Sequence, residues 1–441
     1  MMDNKRALDV QQFLDGQAFS PYQWLVFALC FGVVLLDGFD TAAIGYIAPS
    51  LMTEWGLTKP MLAPVLSAAL IGLTCGSLAA GPLADRFGRK RPLAASVLLF
   101  AIASLFAAEA QSLTQLTILR FITGIGLGAA MPNAVTLMSE YCPCARRATL
   151  TNAMFCGFPL GAALGGFIAA WMIPHWGWRS ILLVGGAAPL LLAVLLLTVL
   201  PESVRFMVAR GWRSEQIQAV LVRIGSVIPG STFYMAEEKA AGDKRGGVRL
   251  IFARRYALGT AMLWLTYFMG LVIFYALVNW MPILFKEAGL SPKDATMVAA
   301  LFPLGGVGAV AFGWLMDRYS PDKVVAVGFA LTAFAIFAIG QAVGSLGALV
   351  VVVLAAGTLM NTSQSSLPSL AAQYYPTAGR ATGVAWMLGV GRIGGIAGSF
   401  LVAQLTVMQL GFSSILTVLA VPGLLAAAAL IVKQKFISQG K

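Results

Sequence analysis

The sequence predicts an all-α membrane protein of twelve transmembrane helices, arranged as two pseudo-symmetric six-helix bundles. Three observations carry this. The 441 residues are 59% hydrophobic and only 11% charged, whereas a soluble domain carries about 25% charged residues. Twelve apolar runs are each long enough for a bilayer, which takes about 20 residues of helix. Two loop sequences also recur, at offsets of 232 and 233 residues, one copy in each half of the chain.

The runs fall near 22–48, 61–84, 92–110, 114–137, 149–172 and 179–200, then 256–283, 295–316, 323–342, 345–370, 381–406 and 412–433. The segment Met1 to Ser20 has no apolar core with a cleavage site, so the first run is expected to stay as a signal anchor. Pro201 to Arg255 is the one long polar connection. It holds an amphipathic stretch around Glu215 to Ile224 and a Gly/Lys/Arg turn, Gly242 to Gly247. The expected organisation is a first bundle at 1–200, a cytoplasmic linker at 201–255 and a second bundle at 256–441.

Orientation follows from the basic residues. An even number of spans puts both termini on one side. With the termini inside, 24 of the 30 Lys and Arg lie on inside segments and four outside, while Arg120 and Arg392 lie within spans. That bias predicts cytoplasmic termini for a polytopic inner-membrane protein. The net charge of +12 is distributed in these short clusters and not along a continuous face. A nucleic-acid partner is therefore not expected.

The repeat pairs Gly81–Arg91 (GPLADRFGRKR) with Gly313–Lys323 (GWLMDRYSPDK). It also pairs Glu140–Thr149 (EYCPCARRAT) with Gln373–Thr382 (QYYPTAGRAT), and Gly161 and Gly165 with Gly394 and Gly398. Six spans is an even number, so the halves are parallel repeats about an axis along the membrane normal. Transporters that rock two bundles around a central site are built this way.

Ionisable groups inside spans are costly and mark functional positions by default. Asp37 and Asp40, in DGFD of the first span, are three residues apart and share a helix face. They read as a proton site or as a permanently paired structural anchor. Arg120, at the start of the fourth span, is the natural partner of Asp40, as part of a proton relay or as a static ion pair. Arg392 lies mid-span in the eleventh helix with no acid near it in sequence. Either a substrate carboxylate satisfies it, or Asp37 or Asp40 does so across the bundles.

Other polar candidates for substrate binding are Asn133, Asn279, Asn361 and Gln364. Tyr267 and Trp386 lead the aromatic candidates, with Trp264, Tyr275 and Phe302 beside them. Glycine rows such as Gly157, Gly161 and Gly165 are helix-packing surfaces first. Asp85, Arg89, Glu140, Arg146, Asp317 and Arg380 sit where helices meet the inner surface. Pairs across the bundle interface there would close an inner gate; topology-setting charge is the plainer alternative.

Five cysteines, at 30, 75, 142, 144 and 156, include a C-x-C in a loop. With His175 as the only histidine, neither a metal site nor a disulfide framework is expected. No cofactor loop or nucleophile–base arrangement is visible, which disfavours an enzyme.

GPLADRFGRK resembles the loop signature of the major facilitator superfamily, and R-x-x-x-G-x-G-x-G from Arg120 resembles its fourth-span motif. DGFD resembles the first span of the aromatic acid:proton symporters. LDVQQF, PYQW and LDGFDTAAIGYIAPSL with EWG are similar to bacterial 4-hydroxybenzoate/protocatechuate permeases. The resemblance implies proton-coupled uptake of a small aromatic carboxylate that needs Asp37 and Asp40. It implies similar importance for Arg120, Glu140, Asp317, Arg380 and Arg392. Two departures stand out: Asp322 replaces an expected basic or histidine residue, and Ala162 stands where the antiporter motif has proline.

The expected activity is import by proton symport with alternating access, in a monomer whose partners are the substrate, protons and lipid. An entering anion opposes about 2.3 kcal/mol per 100 mV of inside-negative potential; one proton cancels that and a second exploits it. The rivals are a proton-coupled exporter, a sugar porter and a non-transporting membrane sensor.

Overall fold

The computed structural model describes residues 7–227, 230–235, 251–308, 315–316, 318–375 and 377–439; the side chains of 85, 145, 148, 152, 307–308, 372, 377–382 and 436–439 are outside that description. Eleven described helices are long and apolar enough to cross a membrane. The first half holds α2 (Pro21–Trp55), α3 (Lys59–Phe87), α4 (Lys90–Ala108), α5 (Leu113–Tyr141), α6 (Arg147–Phe155) with α7 (Gly157–Trp176), and α8 (Arg179–Thr198). A short α1 (Val10–Asp15) precedes them, and α9 (Val204–Ala209) and α10 (Ser214–Leu221) follow. The second half holds α11 (Arg254–Glu287), α12 (Pro292–Leu304), α13 (Pro321–Gln341), α14 (Leu346–Tyr374), α15 (Thr377–Val407) and α16 (Phe412–Gln439). The span expected at 295–316 corresponds to α12 and a 3-10 turn, Gly305–Gly308, before residues outside the description.

Local chemistry sets the ends of α2. Ser20 caps it in a reciprocal box with Gln23, and Pro21 occupies the first turn, where its missing N–H costs nothing. Gly56 ends it at φ 63°, a left-handed conformation that favours glycine. The helix therefore runs past the apolar stretch expected to end at residue 48. The fifth span is interrupted at Cys156, between α6 and α7.

The repeat is also structural. Gly161 of α7 lies against the Leu35 carbonyl of α2, and Gly394 of α15 lies against the Phe268 carbonyl of α11. Gly124 lies on the Ala69 carbonyl and Gly357 on the Phe302 carbonyl. Each second contact is the first displaced by 233 residues in both partners. Glycine at these crossings lets two backbones approach with no Cβ between them.

One feature departs from an all-α expectation. Strand β1 (Ala7–Asp9) pairs in parallel with β2 (Thr232–Tyr234), Leu8 opposite Phe233. Beneath this ribbon Val10 and Leu14 of α1 are buried with Met207, Ile217 and Leu221. The first part of the linker thus packs on the first half. The amphipathic stretch expected at Glu215 to Ile224 appears as α10, with Ile217 and Leu221 turned inward.

The halves touch through α2 with α11, α7 with α12, and α3 with α15. The end of the molecule carrying the ribbon is called the linker end below. Toward the opposite end one apolar cluster joins both halves, including Ile44, Ile47, Phe274 and Trp280. Gly45 of α2 there lies on the backbone of Val278 and Asn279 in α11.

Candidate functional site

Asp40 is almost wholly enclosed. The Arg120 guanidinium donates to both its carboxylate oxygens, at 3.0 and 2.9 Å, and to its backbone carbonyl at 3.1 Å. Ser104 of α4 donates to Oδ1 at 3.0 Å. Three helices of the first half thus converge on one carboxylate, with side-chain exposures of 0% for Arg120 and 1% for Asp40. A charge-assisted pair this well satisfied holds its members in place.

Asp37 differs, although it lies one helical turn away and is 2% exposed. Its hydrogen bond comes from Thr41 on the same helix, at 3.3 Å. The cation within electrostatic reach is Arg392 of the other half, yet the two form no ion pair. Arg392 Nη1 instead donates to the Leu73 carbonyl of α3 at 3.5 Å. In this arrangement Arg392 therefore lies near Asp37 without an ion pair to it, while Asp40 is held by Arg120.

Two phenols flank that guanidinium. Tyr267 and Tyr275 of α11 both lie within its electrostatic reach. Their rings seat against Gly391 and Gly395 of α15, one residue before and three after Arg392. Any larger residue at either glycine would push a ring away. Gln364 of α14 donates from Nε2 to the Tyr267 carbonyl at 3.4 Å, and its amide lies beside the Tyr267 phenol. Asp37, Arg392, Tyr267 and Gln364 are thus brought together from four helices and both halves.

The remaining substrate candidates make the following contacts. Asn133 donates to the Ala129 carbonyl of its own helix at 2.8 Å. Asn279 donates to Ser399 Oγ at 2.9 Å, within the second half. Asn361 donates to the carbonyls of Phe302 and Gly357, at 3.0 and 2.7 Å. Trp386 is 41% exposed and stacks on Trp264 at 5.9 Å, with Phe252 edge-on to both.

Among the gate candidates with described side chains, one pair lies within the first half. Arg89 Nε lies 3.4 Å from Glu140 Oε1, and Ser203 donates to Glu140 Oε2. Glu202 accepts from the backbone N–H groups of Arg89 and Lys90, at 2.8 and 3.2 Å. Arg146 is exposed. Asp85, Asp317 and Arg380 have side chains outside the described residues. In the second half Asp322, the departure noted above, is paired with Lys433 at 2.6 Å.

No pattern along the chain foretold the contacts of the opposite end. Lys59 and Glu287 form an ion pair at 2.6 Å between the halves. Lys286 donates to Thr53 Oγ1 at 3.1 Å. The signal available was faint: these are charges at span ends on the side that carries few of them. Ser104 and Glu202 were also absent from the candidate site.

The sequence profile of the Major Facilitator Superfamily matches residues 30–399 and 263–437. The chain belongs to that superfamily. It is a multi-pass membrane transporter and not an enzyme. Among characterised relatives, the chain is 50% identical to the 4-hydroxybenzoate transporter PcaK of Pseudomonas putida, over 97% of this chain and 96% of the relative. It is 45% identical to a gallate transporter of Pseudomonas putida, over 96% and 94% respectively. A benzoate transport protein of Acinetobacter baylyi is 30% identical, over 95% and 91%. Among solved structures, a D-xylose-proton symporter superposes with a TM-score of 0.71 at 21% identity, covering 93% of this chain and 97% of the other. That likeness supports the fold.

Proposed function

We propose that this protein imports a small aromatic carboxylate of the 4-hydroxybenzoate or protocatechuate type, together with protons, by alternating access. The observation that carries the reading is the juxtaposition of Asp37 and Arg392 across the two halves, within electrostatic reach and not paired. A buried guanidinium with donors to spare takes a carboxylate bidentately. A buried carboxylic acid beside it changes its proton affinity as that cation is shared with, or released from, a substrate anion. The relatives named for 4-hydroxybenzoate, gallate and benzoate support an aromatic acid as cargo.

Roles follow from the contacts. Asp37 is the acid that exchanges its proton, and Arg392 holds the substrate carboxylate between Tyr267 and Tyr275. Asp40 and Arg120 form the fixed brace that sets the depth and rotation of α2. Gln364 contributes on the far side of Tyr267, with Asn133, Asn279, Asn361 and Trp386 as further candidates for contact with the substrate. Arg89, Glu140 and Arg146, with Asp85, Asp317 and Arg380, form the cytoplasmic gate region.

The moving units are the bundles 1–200 and 256–441, with 201–255 as the cytoplasmic connection. The linker end is the cytoplasmic face, and the protein is a monomer in the bacterial inner membrane. The polar contacts between halves described at the opposite end, Lys59–Glu287 and Lys286–Thr53, support a state closed to the outside.

The test is uptake of labelled 4-hydroxybenzoate by purified protein in liposomes under an imposed pH gradient. Accumulation that follows the inward proton gradient is expected. Equal uptake with every gradient collapsed, or none in either case, overturns the reading.

A further inference from the structure

The geometry points to Gln364 as the residue that reads a hydroxyl group on the substrate ring, accepting its hydrogen bond at the carboxamide oxygen. This rests on the aromatic-carboxylate reading above and names the group that chooses among such acids.

The buried polar atoms without partners among the described residues include three in the second half: Trp264 Nε1, Ser363 Oγ and Gln364 Oε1. An indole N–H can only donate, a hydroxyl can do either, and a carboxamide oxygen can only accept. Gln364 therefore lacks a donor. Its orientation is set by Nε2, which is held by the Tyr267 carbonyl at 3.4 Å. Oε1 is left lying against the Cα of Gly270. An acceptor left without a donor in a membrane interior is costly, and it calls for a reason.

The repeat shows why this position matters. The offset of 233 that maps Leu35 onto Phe268 maps Asp37 onto Gly270. The second half thus has no side chain where the first half has the Asp37 carboxyl. Gln364 Oε1 fills the room left by the missing Cβ. On the two sides of the pseudo-twofold axis stand an acid and a neutral acceptor, with Arg392 in reach of the acid and Tyr267 linking Arg392 to the amide.

A benzoate ring anchored at Arg392 by its carboxylate has nothing to offer Gln364. A ring hydroxyl opposite the carboxylate supplies the missing donor. Sites built to hydrogen-bond a hydroxyl reject analogues lacking it far more strongly than apolar pockets reject size changes.

The test is competition for labelled 4-hydroxybenzoate uptake in liposomes by benzoate, 4-methylbenzoate and 4-aminobenzoate. The methyl group copies the size of the hydroxyl without a donor; the amino group donates. In the unmodified protein, 4-aminobenzoate is expected to compete nearly as well as unlabelled 4-hydroxybenzoate. Benzoate and 4-methylbenzoate should be roughly ten- to a hundredfold weaker. Gln364→Met should remove that preference, bringing the four acids to within a few-fold of one another as competitors. The inference is overturned if 4-methylbenzoate matches 4-hydroxybenzoate, or if Gln364→Met keeps the original preference. Should the variant fail to reach the membrane, the ligand series on the unmodified protein decides alone. Transport of all four acids equally sinks only the role of Gln364. Transport of none sinks the aromatic-carboxylate reading as well.

Discussion

Asp40 and Asp37 sit one turn apart on the same helix face, yet only Asp40 is locked. It receives three donations from Arg120, two of them to its carboxylate, and one from Ser104, whereas Asp37 receives one from Thr41. Two acids that look equivalent in DGFD therefore differ in what their loss would do.

Replacing Asp40 by Asn strands the Arg120 charge in a dry site. Removing one member of a buried pair costs about 3–5 kcal/mol. The expected result is a clearly lowered unfolding temperature in detergent, together with lost uptake. Asp37→Asn should leave that temperature nearly unchanged and abolish gradient-driven accumulation, while exchange of labelled for unlabelled substrate across the membrane continues. Identical behaviour of the two variants would contradict this division.

Arg392→Lys keeps the charge but not the planar fork. A bidentate grip on a carboxylate is lost, and truncating such a contact costs about 2–5 kcal/mol. KM for the aromatic acid should rise by more than tenfold, with Arg392→Ala worse still. An unchanged KM would place the carboxylate elsewhere.

Lys59 and Glu287 join the halves at 2.6 Å with side chains 23% and 44% exposed. An ion pair so open to solvent is worth about 0–1 kcal/mol, enough to shift a balanced equilibrium several-fold. Lys59→Glu should raise labelling of a cysteine placed in the pocket from the opposite end, and the swap Lys59→Glu with Glu287→Lys should restore it. Labelling that ignores both changes removes the pair from gating.

Gly161→Ala and Gly394→Ala each drive a methyl group into a backbone carbonyl, of Leu35 and Phe268 respectively. Backbone cannot rotate away as a side chain can, so about 1–3 kcal/mol of destabilisation is expected for each. Thermal unfolding should show comparable losses at the two related positions. A loss at only one would break the structural equivalence of the halves.

Cys142 and Cys144 should react differently. Burial pushes the Cys142 thiol up to about 12, so its thiolate is scarce at any pH below that value. Cys144 is exposed. Maleimide at pH 7 should modify Cys144 from the linker face and leave Cys142 untouched until the protein unfolds. Mass spectrometry of the labelled peptide reads this directly.

Much of the fold was legible because its causes are local or repetitive. Apolar runs of bilayer length, the loop pair at Asp85 and Asp317, and the glycine rows at Gly161 and Gly394 are all visible in the chain. So was the partnership of Asp40 with Arg120, since two costly charges at one depth have few other solutions. The parallel ribbon of β1 and β2 was not legible. Its strands are three residues each and lie 225 residues apart (Ala7 opposite Thr232), too short to carry a pattern.

The chain alone determined that this protein lives in a membrane, how its spans repeat, and which charges lie inside it, because hydrophobicity accumulates along some twenty residues whatever their neighbours. Only the packed molecule decided that Asp40 is braced, that Asp37 faces Arg392 unpaired, and that Gln364 rests on Gly270. Those outcomes depend on the rotation of each helix about its own axis. That rotation is set by contacts between backbones far apart in sequence, such as Gly161 on Leu35 and Gly394 on Phe268.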